Sequence, residues 1–218
     1  MARSNILKGI LGVDVAITKM ERVVGYLARN ARYHKGQYIT LCNAESAVRA
    51  YESDEYRDVL NESFVILPDG QSIPLIHRLR GFHKAEQVQG DMMRKSLWDT
   101  TGPVSIRHYI YCADQKIVDR ICDEINTNYP QLNIAAVTTG KNVGLMNPRE
   151  SQDFIQDVNS TGADMLWLIG GDAFMQDVWM HGHARGVEAL VVGIGKKHRQ
   201  SIVGSIKYVY YLIKYLLR

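Results

Sequence analysis

The chain of 218 residues is 46% hydrophobic and 22% charged, with a formal net charge of +3. That length suits one large domain, and the composition excludes a disordered chain and a core that needs disulfides or a structural metal. The three cysteines, Cys42, Cys112 and Cys122, lie in or beside apolar runs without Cys-x-x-Cys spacing. They predict small buried thiols in a reducing, cytoplasmic setting and exclude a disulfide scaffold or a zinc ribbon.

In the first 25 residues Asp14, Lys19, Glu21 and Arg22 interrupt the apolar positions, so no signal-peptide core is expected. Met20, Val23, Val24 and Leu27 then share one helical face. Short apolar, often β-branched runs predict strands at Gln37–Cys42, Phe64–Leu67, Arg107–Cys112, Asn133–Thr138, Met165–Ile169 and Ala189–Ile194. Helical spacing recurs at Ile117, Val118, Ile121, Cys122 and Ile125, with Asp114 placed to cap, and at Phe154, Ile155 and Val158, with Pro148 suited to the first turn. Alternating strands and helices predict an α/β, Rossmann-like fold: a largely parallel sheet with helices on both faces and right-handed crossovers. Residues 1–200 are expected to form this domain and residues 201–218 a basic amphipathic C-terminal helix.

Open α/β sheets bind ligands beyond the carboxyl ends of their strands. Polar and glycine residues there include Asn43-Ala44-Glu45, Pro68-Asp69-Gly70, Ala113-Asp114-Gln115, Gly170-Gly171-Asp172 and Gly193-Ile194-Gly195-Lys196-Lys197. Pro-Asp-Gly directly after an apolar strand would fix a carboxylate at the sheet edge, although the same triplet makes an ordinary turn. Gly170-Gly171 ahead of the helical pattern from Phe174 to Gly182 could admit a phosphate near a helix N-terminus, or simply make a tight turn. His181 and His183 with His198 lack a carboxylate or cysteine to complete a metal set, and no Gly-x-Ser-x-Gly elbow is present. A metal hydrolase and a serine hydrolase are excluded on that ground.

At the end of the chain, Lys196 to Arg218 carries six of the 26 basic residues and no acidic one, leaving 20 basic against 23 acidic residues before it. A nucleic-acid binder would be basic in its body too. From Ser201 onward Ile202, Val203, Ile206, Val209, Tyr210, Ile213, Leu216 and Leu217 follow helical spacing. Lys207, Lys214 and Arg218 recur along one side, and Tyr208, Tyr210, Tyr211 and Tyr215 add rings suited to a water–lipid boundary. These features predict either an ordinary packed helix or an interfacial one, its basic residues without acidic partners, that holds the protein peripherally on the inner face of the cell membrane.

Several segments together resemble a known family. They are Ile10–Asp14 with Thr18–Glu21, Thr40–Glu45, Phe64–Gly70, Glu86–Asp91, Asn128–Pro130, Gly162–Asp164 and Gln176-Asp177-Val178-Trp179. In order and spacing the chain is similar to the WecG/TagA/CpsF family of bacterial glycosyltransferases (glycosyltransferase family 26) from about residue 9 to 195. The resemblance implies an inverting, metal-independent transferase, without cofactor, that moves a hexose-type sugar from a UDP-sugar to a polyprenyl-diphosphate-linked saccharide in envelope or exopolysaccharide synthesis. It implies Asp69 as general base, with Asn43, Gly70, Gly170, Gly171, Gln176 and Asp177 around the donor. Leu41, Gln87 and Phe174-Met175 depart from the family pattern. Gln87 would stand on the acceptor or leaving-group side in place of an arginine, and Lys197 or Arg199 could supply the missing charge. The departures leave open a second reading, a degenerate relative that binds nucleotide or glycolipid as a scaffold.

Overall fold

The computed structural model describes residues 7–101, 106–196 and 202–216. Among them, eight strands form one sheet of order β1-β2-β4-β3-β8-β7-β5-β6. The strands are β1 (Leu7–Ile10), β2 (Val13–Ala16), β3 (Tyr38–Cys42), β4 (Val65–Pro68), β5 (His108–Cys112), β6 (Ile134–Thr139), β7 (Met165–Ile169) and β8 (Leu190–Ile194). Only the β1–β2 hairpin is recorded as antiparallel; the β2–β4, β3–β8, β8–β7, β7–β5 and β5–β6 pairs are parallel. The expected mostly parallel α/β architecture is thus present. The six strands read from sequence agree with β3 to β8 to within a residue at each end.

The hairpin was not read as two strands from sequence. Its turn places both Leu11 (φ 54°) and Gly12 (φ 85°) in the left-handed region, the geometry that matches the twist of a two-residue hairpin. Leucine gives no sequence signal for that conformation; it is accepted here because the Leu11 side chain is buried.

By contact density the chain falls into two compact units. The first takes Met1–Val23, Thr40–Gly90 and Lys197–Arg218. It contains β1, β2, β4 and the helices α2 (Ala44–Glu52), α3 (Asp54–Asn61), α4 (Ser72–Leu79) and, at the end of the chain, the helix Ile202–Leu216. Asn43 caps α2 by accepting from the Ser46 amide at 3.0 Å, and Ser53 caps α3 through Tyr56 at 3.2 Å. Ile66, Leu67, Ala47, Leu60 and Ile73 are buried at its centre.

The second unit takes Val24–Ile39 and Asp91–Lys196. Helix α1 (Met20–Asn30), whose residues from Val24 onward belong to this unit, buries Val23, Val24 and Leu27, the face the spacing predicts. The unit also contains β5 to β8, α6 (Gln115–Asn128), α7 (Pro148–Ser160), α8 (Ala173–His183) and all but the first residue of α5 (Gly90–Thr101). Asp114 caps α6, and α7 opens with a capping box between Asn147 and Glu150 and a proline in its first turn. All five residues of β5, β7 and β8 are buried, as expected of parallel strands covered on both faces.

Two buried polar groups shape this core. Arg94 is 3% exposed, pairs with Glu124 at 2.9 Å and lies 4.2 Å from the Trp98 ring centroid, while Lys95 meets the same carboxylate at 3.0 Å. Burial pushes the Glu124 carboxyl up, but Lys95 and Arg94 outweigh it and hold it below its ordinary range. His108 accepts from the Trp167 indole at 3.1 Å, and burial pushes its ring down to about 3. It is a neutral core histidine.

In the first unit, His77 is fully buried, packs edge-on to Phe82 and has no hydrogen-bond partner at either ring nitrogen. Burial, with the nearby charge of Arg80, pushes it down to about 4. The folded state keeps this ring neutral while the unfolded chain protonates near 6.5. The stability that neutral His77 contributes is therefore complete above 6.5 and is lost as pH falls from there toward 4. His77→Leu should remove roughly 2 kcal/mol of the stability loss between pH 7 and pH 5. Urea unfolding of both proteins at several pH values measures it; parallel stability curves would show that His77 does not titrate between the two states.

Candidate active site

The carboxyl ends of β3 and β4 lie in the first unit and supply its polar cluster. β4 ends at Pro68, and the chain turns through Asp69 and Gly70 into α4. The Asp69 side chain is largely buried, and its Oδ1 accepts from the Gly90 amide at 3.0 Å. Its own amide donates to the Cys42 carbonyl at 2.9 Å, which ties the turn to the end of β3. Gly90 opens α5, so the Asp69 carboxylate meets the positive end of a helix, where negative charge is favoured.

Asn43 and Gly70 belong to the same cluster. A Cβ on Gly70 would lie 3.3 Å from the Asn43 Cβ, so the glycine permits the close approach of turn and cap. Asn43 Oδ1 is used by the Ser46 amide and lies 3.4 Å from the Ser46 hydroxyl. Thr40, next to the departure at Leu41, is fully buried with its hydroxyl 3.3 Å from Ser63 Oγ, because the strand alternation turns it into the core. Gln87 does not extend a free amide toward a leaving group. Its Nε2 donates to the backbone carbonyl of Asp69, a placement that its position in sequence did not reveal.

Gly170, Gly171, Gln176 and Asp177 gather in the second unit, at the end of β7 and in α8. Both glycines are left-handed (φ 82° and 76°), so the turn itself requires them. A Cβ on Gly171 would come 2.6 Å from Asn142 Nδ2, and one on Gly170 2.3 Å from Ile117 Cδ1. Gln176 and Asp177 are buried rather than displayed on the helix surface. Gln176 Nε2 donates to the carbonyl of Gly170 and lies 3.4 Å from that of Leu168, so its amide secures the glycine turn.

The N-terminus of α8 is already capped by Asp172, which accepts from the Met175 amide at 3.0 Å. An incoming phosphate would meet that carboxylate, so the helix end alone is a poor anion site. Lys196, whose amide donates to the Gly171 carbonyl at 2.7 Å, brings its ammonium 3.4 Å from Asp114 Oδ2 and supplies a cation to this side. Lys197 and Arg199 lie outside the described residues. Asn142 was missed from sequence; it donates to the Asp172 carbonyl at 3.3 Å. Its signal was available as Gly140-Lys141-Asn142, a polar glycine segment at the end of β6.

Among the described residues no group of three His, Cys, Asp or Glu side chains is placed to hold a metal. His183 stacks on Trp179 with ring centroids 5.1 Å apart, and His181 packs edge-on to Tyr38.

The final helix, α9 (Ile202–Leu216), packs on α2. Tyr208 is buried, while Tyr211 donates to Glu52 at 2.9 Å and its ring lies 4.9 Å from Tyr51. The expectation that the basic residues lack acidic partners is corrected at Lys207, whose ammonium is 3.2 Å from Glu52. Only the fold could bring residues so distant in sequence together. On the opposite arc Val209, Tyr210 and Ile213 remain more than half exposed, and Lys214 is also exposed. Arg218 lies outside the described residues. No helix among those residues is long and apolar enough to cross a membrane.

A profile of the Glycosyl transferase WecG/TagA/CpsF family matches residues 8–197. Two relatives are each named N-acetylglucosaminyldiphosphoundecaprenol N-acetyl-beta-D-mannosaminyltransferase. The one from Bacillus subtilis (strain 168) is 29% identical over 105 residues, 48% of this chain and 41% of the relative. The one from Bacillus spizizenii (strain ATCC 23059 / NRRL B-14472 / W23) is 23% identical over 171 residues, 78% of this chain and 62% of the relative. The chain therefore spans less than two thirds of the length of either relative. Since the profile takes in both the Asp69 turn and the Gly170-Gly171 turn, the chain belongs to the WecG/TagA/CpsF family of glycosyl transferases.

Proposed function

We propose that the protein is an inverting glycosyltransferase that moves a hexose-type sugar from a UDP-sugar to a saccharide linked to a polyprenyl diphosphate. The observation that carries this reading is the Asp69 carboxylate, held at the end of β4 by the Gly90 amide. In the proposed reaction Asp69 takes the proton of the acceptor hydroxyl as its oxygen bonds to the anomeric carbon. The bond from that carbon to the UDP oxygen breaks, UDP departs with the electron pair, and the configuration inverts. The names of the two relatives support the class of acceptor and a hexosamine as donor sugar.

On the donor side we assign the turn at Gly170 and Gly171, with Gln176 holding its carbonyls and Asp177 beside it, as the frame for UDP. Lys196 is the described cation suited to the departing diphosphate, and no resident metal or cofactor is assigned. The second reading, a family member that binds without catalysing, is favoured by Gln87, a neutral residue where the family pattern carries an arginine.

Asp69→Asn separates the two readings because it preserves shape and removes basicity. Transfer, read as UDP release with a polyprenyl-diphosphate acceptor, should fall by about a hundredfold or more. Stabilisation of the fold by UDP in a thermal-shift titration should stay close to that of the unaltered protein. UDP binding without turnover in both proteins would instead establish the scaffold reading.

We further propose that the exposed arc of α9 seats the protein peripherally on an anionic membrane surface, where a lipid-linked acceptor resides. Three apolar side chains beside the Lys214 ammonium suit such an interface. Tyr208 and Tyr211 secure the helix from its other side, so substitutions confined to the exposed arc should leave the fold intact. Val209→Ser with Ile213→Ser should abolish co-sedimentation with phosphatidylglycerol vesicles while leaving the melting temperature within a few degrees. Binding that survives this double substitution would place the membrane contact elsewhere.

A further inference from the structure

The segment from Glu86 to Gln89, which leads into α5 at Gly90, is irregular in conformation yet hydrogen-bonded almost residue by residue. Its start is anchored to the end of β2: the Glu86 amide donates to the Thr18 carbonyl at 3.0 Å, and the Glu86 carboxylate pairs with Lys19 at 3.2 Å. Its next residues address the catalytic turn in sequence. Gln87 Nε2 donates to the Asp69 carbonyl, the Val88 amide to the Pro68 carbonyl at 2.8 Å, and the Gly90 amide to Asp69 Oδ1 at 3.0 Å. The Val88 side chain is fully buried, which fixes the height of the segment against the turn. From the other side the Asp69 amide is held by Cys42, and Gly70 rests on Asn43.

Asp69 is thus gripped through its amide, its carbonyl and one carboxylate oxygen. Among the bonds this segment makes to the turn, those of Val88 and Gly90 come from backbone and survive any side-chain change. The Gln87 bond depends on the residue's identity. We infer that Gln87 is a positioning residue for the Asp69 base: its amide fixes the peptide plane following Asp69 and, through it, the direction of the carboxylate. A base must sit within about half an ångström of its productive position, and a displacement of about 1 Å costs up to a hundredfold in rate. Neutral Gln87 therefore acts on the geometry of the base, and the charge on the leaving-group side falls to other residues. This inference rests on the reading of Asp69 as general base.

Gln87→Met keeps the length of the side chain and removes its donor, whereas Gln87→Arg supplies N–H donors again. Gln87→Met should lower kcat by about tenfold or more with donor KM changed less than about twofold, and Gln87→Arg should recover most of the loss. Hydrogen exchange read by mass spectrometry supplies a measurement independent of turnover. Peptides covering Asp69 and residues 87–90 should exchange faster in Gln87→Met, while peptides from β5 and β7 stay protected. Unchanged exchange around Asp69 would overturn the inference whatever the substrate. So would a loss confined to KM, or an equal kcat loss in the Met and Arg variants, because packing would then be responsible. An Asp69→Asn protein with full turnover would fail the parent reading instead, and the exchange result would still decide whether Gln87 holds the turn.

Discussion

Every parallel strand here must hand its chain to a covering helix, and that joint is where backbone groups are left without sheet or helix partners. The structure satisfies them locally. Asn43 caps α2 after β3, Asp114 caps α6 after β5, and Asp172 caps α8 after β7. β4 uses a different solution: Asp69 lends its carboxylate to the first amide of α5, a helix that begins twenty-one residues later. The candidate catalytic group is consequently also a structural one. Its precision comes from the need to satisfy a helix terminus.

The same economy gives the two units different electrostatic characters at their strand ends. In the second unit the caps of α6 and α8 are carboxylates, and an anionic ligand there must be met by cations such as Lys196, which already approaches Asp114. In the first unit the cap of α2 is a neutral amide, so Asp69 carries the negative charge of that cluster without a charged cap beside it. A phosphate belongs where cations can gather, and a base belongs where its charge is held by amides. This division agrees with the proposed assignment of donor and base.

Buried polar groups elsewhere serve packing. His108 receives the Trp167 indole and lies 3.3 Å from the Thr101 hydroxyl, while Arg94 spans from the Trp98 ring to Glu124. These are core features of the second unit, and the depressed titration of the His108 ring reflects burial rather than chemistry. A perturbed group is a marker of function only when it also faces a place where substrate can come.

The amino-acid order by itself determined the alternation of β3 to β8 with their helices, because buried parallel strands read as continuous apolar runs and their helices as 3.6-residue stripes. It also located the Asp69 turn, the double glycine, the cap at Asp114 and the first-turn proline at Pro148, all of which act within a few residues. The hairpin of β1 and β2 escaped because a buried leucine at positive φ carries no local signature. What Gln87, Gln176 and Lys207 touch was equally hidden. Gln87 and Lys207 meet partners 18 and 155 residues away, and Gln176 turns back across a glycine bend to carbonyls at the end of β7. Short-range patterns follow from the geometry of one chain segment, whereas a side chain's partner is set by which backbone groups the packing leaves unsatisfied within reach. That choice was made by the tertiary structure alone.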